Sequence, residues 1–251
     1  VKGQGLLPWR LGSDGMPRVK GQQNWQLDIN APALRSLQTL VSGVGIRSLN
    51  GRVDAKAQFQ GQWPLFSSQG DLQADQLQWQ GEGESLSKLV SGQAHWAMQT
   101  TDWDAPVQLQ AKLSGLHLPH VQLDQAQWSV TGTARDHRSS LSVQGRPAKA
   151  NATPMTVSAS VKGSLQSKGR QVAGWQGRIQ DLSWRTDSQP QHVWLKANPF
   201  DLVWRHDEAR DQVGVSPVGL NVAGVPMTLQ EFDWQAGEQG LVQLKTWLKV
   251  D

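Results

Sequence analysis

The stretch Val-Asp-Ala-Lys-Ala-Gln-Phe-Gln-Gly, residues 53–61, alternates strictly between apolar or small residues and polar ones. Val53, Ala55, Ala57 and Phe59 would lie on one side of an extended chain, because successive side chains of a β-strand point to opposite faces. An alternation of this length is typical of a strand with one face in water. We therefore predict a strand over residues 53–61 whose polar face is solvated.

Two phrases recur along the chain. Residues 107–115 and 155–163 repeat the spacing of residues 53–61, from an apolar residue to a glycine with alanine at the fifth position. A second phrase, an apolar residue two positions before a tryptophan, ends at Trp79, Trp128, Trp184 and Trp234. Recurrence at a fixed period indicates stacked units. We predict irregular repeats of about fifty residues, with approximate units at 44–80, 94–130, 152–185 and 213–235.

Most of the remaining chain alternates in the same way, for example over residues 25–29 and 94–98. Gly, Pro and Asn-rich breaks separate the short runs at roughly 8–12 residues, which favours an all-β fold of antiparallel meander type. Residues 31–42 depart from the pattern: Asn30 can cap a helix, and leucines recur at three to four residues. We predict one short α-helix there, with a weaker helical candidate at 85–90.

Composition excludes several classes of protein. The 251 residues contain no cysteine, which excludes disulfides, thiolate nucleophiles and cysteine-bound zinc. A net charge of +3, spread over 24 basic and 21 acidic residues without a block of one sign, offers no basic stripe for nucleic acid. No run approaches the length of a membrane-spanning helix, so we expect any anchor or leader to lie outside this chain.

The residues that could carry chemistry form no recognisable site. Of the six histidines only His117 and His120 are close, and the Leu-Pro between them prevents the helical face that places two imidazoles on one metal. No serine stands in a Gly-x-Ser-x-Gly elbow, and Gly43-x-Gly45 lacks the third glycine of a phosphate loop. We expect a protein that is not an enzyme, with no catalytic residue, no metal and no cofactor.

The predicted inner faces of the strands carry many alanines and glycines beside Val, Leu and Trp. Small side chains leave room for a lined groove, because a closed sandwich needs large residues to fill a core about 10 Å thick. Alanine opposite tryptophan also packs well in a thin core. From the residues alone, a groove and a filled sheet both remain possible.

Four segments, residues 31–63, 130–145, 174–184 and 193–204, resemble the central region of the TamB family. TamB is the inner-membrane subunit of the bacterial translocation and assembly module, within the wider AsmA-like group. The likeness lies in the order of features: a Leu-rich helix, Gly-x-Leu/Val strands, Gly-Thr before a histidine, Trp-x-Gly, then Trp-Leu ahead of a proline. It runs from about residue 24 to the end of the chain.

This resemblance implies a fold and a role. Family members are long periplasmic proteins tethered in the inner membrane, with an elongated antiparallel β-sheet curled into a groove that is thought to carry phospholipid toward the outer membrane. Their partner is an outer-membrane barrel of the Omp85 type (TamA-like), reached through their C-terminal end. We therefore expect residues 1–251 to be one repetitive β-groove segment, an internal slice of a longer anchored protein, with partners that are phospholipid acyl chains and not nucleic acid.

The inward rows of the repeated phrase would then line the groove. These predicted lining residues are Val53, Ala55, Ala57, Phe59, Val107, Leu109, Ala111, Leu113, Met155, Val157, Ala159 and Val161. Trp79, Trp128, Trp184 and Trp234 would be aromatic residues of either the groove or its rim. Each methylene removed from water contributes about 0.8 kcal/mol, so a uniform apolar lining can hold acyl chains without a specific headgroup site.

Three hypotheses follow for function. The first is a lipid-carrying β-groove, which requires a continuous apolar face. The second is a scaffold for outer-membrane protein assembly, whose open sheet edge pairs with client strands. The third is a carbohydrate-binding or adhesin-type β-repeat, which would place Asp, Asn and Gln around exposed tryptophans.

Overall fold

A computed structural model describes residues 2–6, 9–11, 17–19, 23–38, 46–62, 65–81, 85–100, 102–149, 151–168, 171–186, 192–206, 210–237 and 240–250. Its strands are β1 (Lys2–Leu6), β2 (Trp9–Leu11), β3 (Pro17–Val19), β4 (Gln23–Ala31), β5 (Ile46–Gln62), β6 (Leu65–Gly81), β7 (Ser87–Gln99), β8 (Pro106–His117), β9 (Val121–Thr133), β10 (His137–Pro147), β11 (Met155–Lys168), β12 (Gln171–Thr186), β13 (Val193–Ala197), β14 (Phe200–His206), β15 (Arg210–Val215), β16 (Val218–Val222), β17 (Val225–Gly237) and β18 (Gly240–Val250).

Within these described ranges, every strand except β2 and β3 belongs to one 16-stranded antiparallel sheet. From β4 to β12 each strand pairs with the next one along the chain. β13 and β14 both pair with β12, and β15 and β16 both pair with β17. Each of these two pairs therefore acts as a single interrupted strand. The sheet is an up-and-down meander, which confirms the predicted all-β antiparallel fold.

The predicted α-helix at 31–42 is wrong over the residues that the structure describes. Ala31 ends β4, and only Leu34–Leu37 form a single 3₁₀ turn; residues 39–42 lie outside the described part of the chain. Asn30 does not cap this turn, because its amide donates to Asp54 Oδ1 across the sheet at 2.7 Å. The candidate at 85–90 is also wrong, since β7 begins at Ser87. In both places the cross-strand pairing of the sheet overrides local helix propensity.

Cross-strand register separates an apolar face from a polar one, because directly paired residues share a face. One apolar row runs from β4 to β18 through Ile29, Ala55, Leu72, Ala94, Ala111, Trp128, Leu141, Ala159, Leu182, Ala197, Leu220, Met227 and Val250. A row on the other face contains Asp28, Lys56, Asp71, His95, Gln110, Ser129, Ser140, Ser160 and Asp181. The apolar face is thus continuous along the sheet.

Each of the four neighbouring strands β6 to β9 contains one extra residue, and these extra residues lie side by side across the sheet. We call this line the first crease. Successive residues of the apolar face are three positions apart there instead of two: Ala74 and Leu77, Leu89 and Gly92, Leu113 and Leu116, Leu123 and Ala126. Gln76 and Gly115 adopt left-handed backbone at this line, with φ of 50° and 62°. Register shifts against β5 and β10 mark its two ends.

A second crease crosses β12, β13/β14, β15/β16 and β17. Its three-residue steps are Ile179 to Leu182, Ala197 to Phe200, Val215 to Val218 and Leu229 to Phe232. Pro199 and Pro217 lie in two of these steps, where a strand interruption tolerates a residue without an N–H. An extra residue bends a strand and increases its twist, so each crease bends the sheet while the apolar residues stay on one face.

The two creases are related by an offset of about 105 residues, as from Ala74 to Ile179 or from Leu123 to Leu229. This is close to twice the fifty-residue period of the sequence, although the boundaries of the four sequence repeats remain a prediction. Three of the buried apolar side chains, Ala74, Ala197 and Val218, flank the creases. Each crease is thus flanked by at least one buried apolar side chain.

Among the described residues, no second layer closes over the sheet to form an ordinary core. The chain exposes 16446 Å², whereas a compact monomer of 27.6 kDa would expose roughly 11,000 Å². Among the described side chains, no large one is less than 2% exposed. No helix in the described ranges is long and apolar enough to cross a membrane. The sheet is an open, bent surface.

Candidate functional site

The apolar face of the sheet is the candidate site, and all twelve predicted lining residues lie on it. Ala55, Ala111 and Ala159 share one row, which also contains Trp128 and Leu182. Two parallel rows contain further lining residues, drawn from different positions of the three repeats: Val53, Leu113 and Val157 in one, and Ala57, Leu109 and Val161 in the other. Phe59 pairs with Trp25, Val107 with Gly132, and Met155 with Gly145.

This face is open to a ligand. Leu72 and Leu141 are each 39% exposed and Trp128 is 46% exposed, although all three lie in interior strands of the sheet. Most of the remaining apolar side chains are half-buried, because their neighbours within the sheet cover their flanks. Contiguous exposed apolar surface of this kind is characteristic of binding sites rather than of an ordinary monomer surface.

All four predicted aromatic residues lie on the apolar face, and three of them stand among the rows of lining residues. Trp128 pairs with Ala111, Trp184 with Val157, and Trp234 with Val213. Trp79 lies beyond the first crease and pairs with Leu49 and Ser87. The structure therefore places Trp128, Trp184 and Trp234 with the lining residues, a distinction that the sequence leaves open.

Five indole N–H groups of this face bond to the protein itself. Trp96 donates to Ser68 Oγ (2.9 Å), Trp128 to Ser139 Oγ (3.0 Å), Trp175 to His137 Nε2 (2.8 Å), Trp184 to Met155 Sδ (3.1 Å) and Trp204 to Asp211 Oδ1 (2.9 Å). These bonds also explain why Ser68, Ser139 and His137 stand on an otherwise apolar face. With the donors occupied, the indoles present hydrocarbon to whatever covers the sheet.

Two tryptophans cover glycines of their own or a neighbouring strand. The Trp96 ring fills the space where a Gly70 side chain would stand, and the Trp175 ring does the same over Gly163 and Gly177. An aromatic ring over a strand glycine covers backbone that would otherwise be bare. The rings are thereby held against the sheet and do not interrupt the apolar face.

A family model described as "TamB, N-terminal domain" matches residues 17–243, which is most of the chain. The chain belongs to the TamB family. This confirms the family expected from the sequence; the matching model is described as the N-terminal domain, where the resemblance names the central region. No curated protein and no solved structure matches the chain.

Membership of the TamB family fixes the general role. TamB-family proteins act in translocation and assembly and are not known as enzymes. They work with an outer-membrane partner in a translocation module, and this family implies a periplasmic region of an envelope protein.

The polar face offers the TamB-family chain no comparable surface. Its side chains form cross-strand hydrogen bonds, such as Ser129 to Ser140 and Ser158 to Ser183, each 2.8 Å. A depression of about 520 Å³ on this face is lined by charged and amide side chains, including His95, whose Nδ1 lies 2.7 Å from Asp71 Oδ1. In the ranges that the structure describes, no three His, Asp or Glu side chains are grouped to hold a metal ion.

Sequence reasoning missed the residues of the creases and the tryptophans that cover glycines as parts of the site. Leu77, Leu89, Leu116 and Leu123 form a further apolar row beyond the first crease. The sequence does show one break in the alternation, between Leu123 and Ala126. Only the pairing of the strands shows that neighbouring strands have the same break side by side. Trp96 and Trp175 do not belong to the series of tryptophans spaced about fifty residues apart, so the repeat could not identify them.

Proposed function

We propose that this chain is a segment of a periplasm-spanning β-groove that shields phospholipid acyl chains in transit between the inner and outer membranes, in support of outer-membrane biogenesis. The observation that carries the proposal is the uncovered apolar row from β4 to β18. The longer protein would be anchored in the inner membrane and would engage an Omp85-type, TamA-like barrel through regions outside this chain.

Two physical features support an acyl chain as the ligand. Each methylene that leaves water contributes about 0.8 kcal/mol, so affinity accumulates along the lining without a polar anchor. Five indole donors of the face are used within the protein, for example by Ser68 and Ser139, which leaves fewer polar groups that could hold one lipid in place. A uniform surface of this kind permits movement along the sheet, which a carrier requires.

The carbohydrate hypothesis is disfavoured by the same geometry. Sugar-binding tryptophans stand among polar groups that converge on the ligand, whereas Trp128 and Trp184 lie in rows with alanine, valine and leucine. The scaffold hypothesis relies on β18, which pairs only with β17 among the described strands. This edge strand carries Lys245 and Lys249, and lysine on an edge opposes pairing with another chain.

The proposal is tested by adding two carboxylates to the apolar face. We choose Leu72→Asp with Leu141→Asp, because both side chains are 39% exposed and the replacements need not disturb packing. The matched control is Gln69→Asp with Ser142→Asp, which adds the same charge to the same two strands on the polar face. Native mass spectrometry after purification from membranes then compares the bound phospholipid.

We expect the apolar-face variant to lose phospholipid by about tenfold or more, because charge is costly in a hydrocarbon contact, while the polar-face variant binds like the wild type. Circular dichroism establishes that both variants keep the sheet. If a folded wild-type chain binds no phospholipid even when it is supplied, or if both variants bind it equally well, the groove function is wrong.

A further inference from the structure

Five basic residues lie along one rim of the sheet, where β7 and β9 begin and β8 and β10 end. We call Lys88, His117, His120, Arg146 and Lys149 the rim patch. Lys88, His117 and Arg146 are linked by register, since Lys88 pairs with His117 and Gln122 pairs with both His117 and Arg146. His120 and Lys149 stand on the two adjoining turns. The patch therefore spans about 14 Å, which is three strand spacings.

The two turns of the rim patch are joined to each other. The Ala148 N–H donates to the His120 carbonyl oxygen at 3.0 Å, which links the β8–β9 turn to the β10–β11 turn. The Lys149 N–H donates to the Pro147 carbonyl oxygen at 2.8 Å. His120 and Lys149 are thus carried on one hydrogen-bonded rim and not on independent loops.

The side chains of the patch are exposed, and the sheet uses few of their donors. His117 Nδ1 donates to the Gly115 carbonyl oxygen at 3.1 Å. Arg146 uses Nε for a 3.2 Å bond to Gln122 Oε1, so the Nη groups of its guanidinium remain available. Lys88, His117 and Arg146 are all exposed.

No carboxylate neutralises the patch within the described residues of this rim, at 85–90, 115–123 and 144–155. The first carboxylate along β9 is Asp124, at the crease, and Glu82 and Glu84 of the β6–β7 connection lie outside the described residues. Some other cations of the sheet are paired, such as Lys162 with Asp136 at 3.3 Å and Lys245 with Glu231 at 2.7 Å. The rim patch is a surface with unused positive charge.

The apolar face ends beside this patch. Leu89 and Leu116 are the chain neighbours of Lys88 and His117 on the side nearer the centre of the sheet. Both leucines lie on the apolar face. Leu86, at the start of the same rim, is 44% exposed. A molecule that lies across the rim would meet hydrocarbon on one side and basic groups on the other, and long Lys and Arg side chains can reach around such an edge.

We propose that the rim patch binds the phosphate group of a phospholipid whose acyl chains lie on the apolar face, with preference for anionic headgroups. This inference rests on the proposed acyl-carrying function and adds to it a place and a chemistry for the headgroup. The Arg146 guanidinium supplies planar paired donors suited to phosphate, and Lys88 and Lys149 supply point charges.

The test removes the charge in two matched ways. The patch variant is Lys88→Gln, Arg146→Gln and Lys149→Gln; the control variant is Lys56→Gln, Lys112→Gln and Arg138→Gln. Each variant loses three exposed, positively charged side chains. None of the six residues makes an ion pair within the described part of the chain. The probes are dihexanoyl-phosphatidylglycerol, dihexanoylglycerol without a phosphate, and inorganic phosphate.

We expect the patch variant to bind dihexanoyl-phosphatidylglycerol at least fivefold more weakly at low salt, with a smaller difference at high salt because exposed charges are screened. Its binding of dihexanoylglycerol should be unchanged, and the control variant should stay within twofold of wild type for both. An equal loss in both variants, or no loss in the patch variant, overturns the headgroup site.

The remaining arms separate this inference from the proposed function. If dihexanoylglycerol binds to none of the proteins, acyl carriage itself fails, and the headgroup proposal that rests on it fails with it. If dihexanoylglycerol binds and the patch variant loses only inorganic phosphate, with phosphatidylglycerol unchanged, the patch is a free-phosphate site and the lipid assignment is wrong. Circular dichroism of both variants establishes that the sheet is intact.

Discussion

The ring of Trp96 occupies the space above Gly70 on the neighbouring strand, and its indole N–H donates to Ser68 Oγ at 2.9 Å. A methyl group on Gly70 would overlap the ring and also approach the Lys56 carbonyl oxygen at 2.6 Å. Backbone cannot move aside as a flexible side chain can. The contact thus fixes both the position of the indole and the identity of residue 70.

We predict that Gly70→Ala destabilises the sheet by about 1–3 kcal/mol, because overpacking forces the ring or the backbone to shift. The measurement is urea unfolding followed by circular dichroism. Gly214→Ala is the matched control, since a side chain at Gly214 would meet nothing within 4 Å. Equal stability of the two variants would contradict the proposed packing of Trp96.

The bond from Trp128 to Ser139 gives a second prediction. Ser139→Ala removes the acceptor of the Trp128 indole N–H, so the Nε1–H resonance should shift and exchange faster with solvent in ¹H–¹⁵N spectra. The adjacent Ser140→Ala removes a hydroxyl that bonds to Ser129 on the other face, and it should leave that resonance unchanged. A shift of the same size in both variants would mean that Ser139 does not hold the indole.

The first crease depends on Gly115. Its φ of 62° is costly for a residue with a Cβ, and a methyl group there would overlap the Val90 side chain. Gly115→Ala should therefore lower the free energy of unfolding by about 1–2 kcal/mol for the backbone alone, and by more with the overlap.

A double-mutant cycle separates the two costs at Gly115. Val90→Ala removes the nearer overlapping atom, Cγ2, but keeps the Val90 Cβ at 2.8 Å and the backbone strain, so it should recover only part of the loss caused by Gly115→Ala. Gly92→Ala serves as the control on the same level, because its nearest side-chain atom would lie at 3.3 Å. Strictly additive effects of Val90→Ala and Gly115→Ala would show that the two residues do not meet.

The edge strand β18 yields a prediction about self-association. Its exposed apolar side chains include Leu244, Leu248 and Trp247, which is 64% exposed. Lys245, which pairs with Glu231 at 2.7 Å, places a charge on this edge. Lys245→Val should increase self-association in sedimentation velocity, because a charged edge opposes strand pairing. Lys112→Val in the interior strand β8 should not; comparable association of both variants would assign the effect to lost solubility alone.

The strands, their antiparallel arrangement and the division into two faces were determined by sequence. Alternation in residues 53–61 and its recurrences is a local property, and each strand reports its own apolar side without its neighbours. The twelve predicted lining residues accordingly lie on one face. The predicted helix at 31–42 failed at Asn30 and Ala31, because leucine spacing cannot show that a neighbouring strand will pair with the start of the segment.

Only the tertiary structure decided how the strands align. An extra residue such as Gly115 is one irregularity in one strand, and it becomes part of a crease only when Val90 and Asp124 fall beside it in register. The same holds for the acceptor of each indole, for the alignment of Ala55, Ala111 and Ala159 in one row, and for the meeting of Lys88 with Arg146 at one rim. Register between strands is set by pairing over long sequence separations, and a shift of one residue would send each side chain to the opposite face.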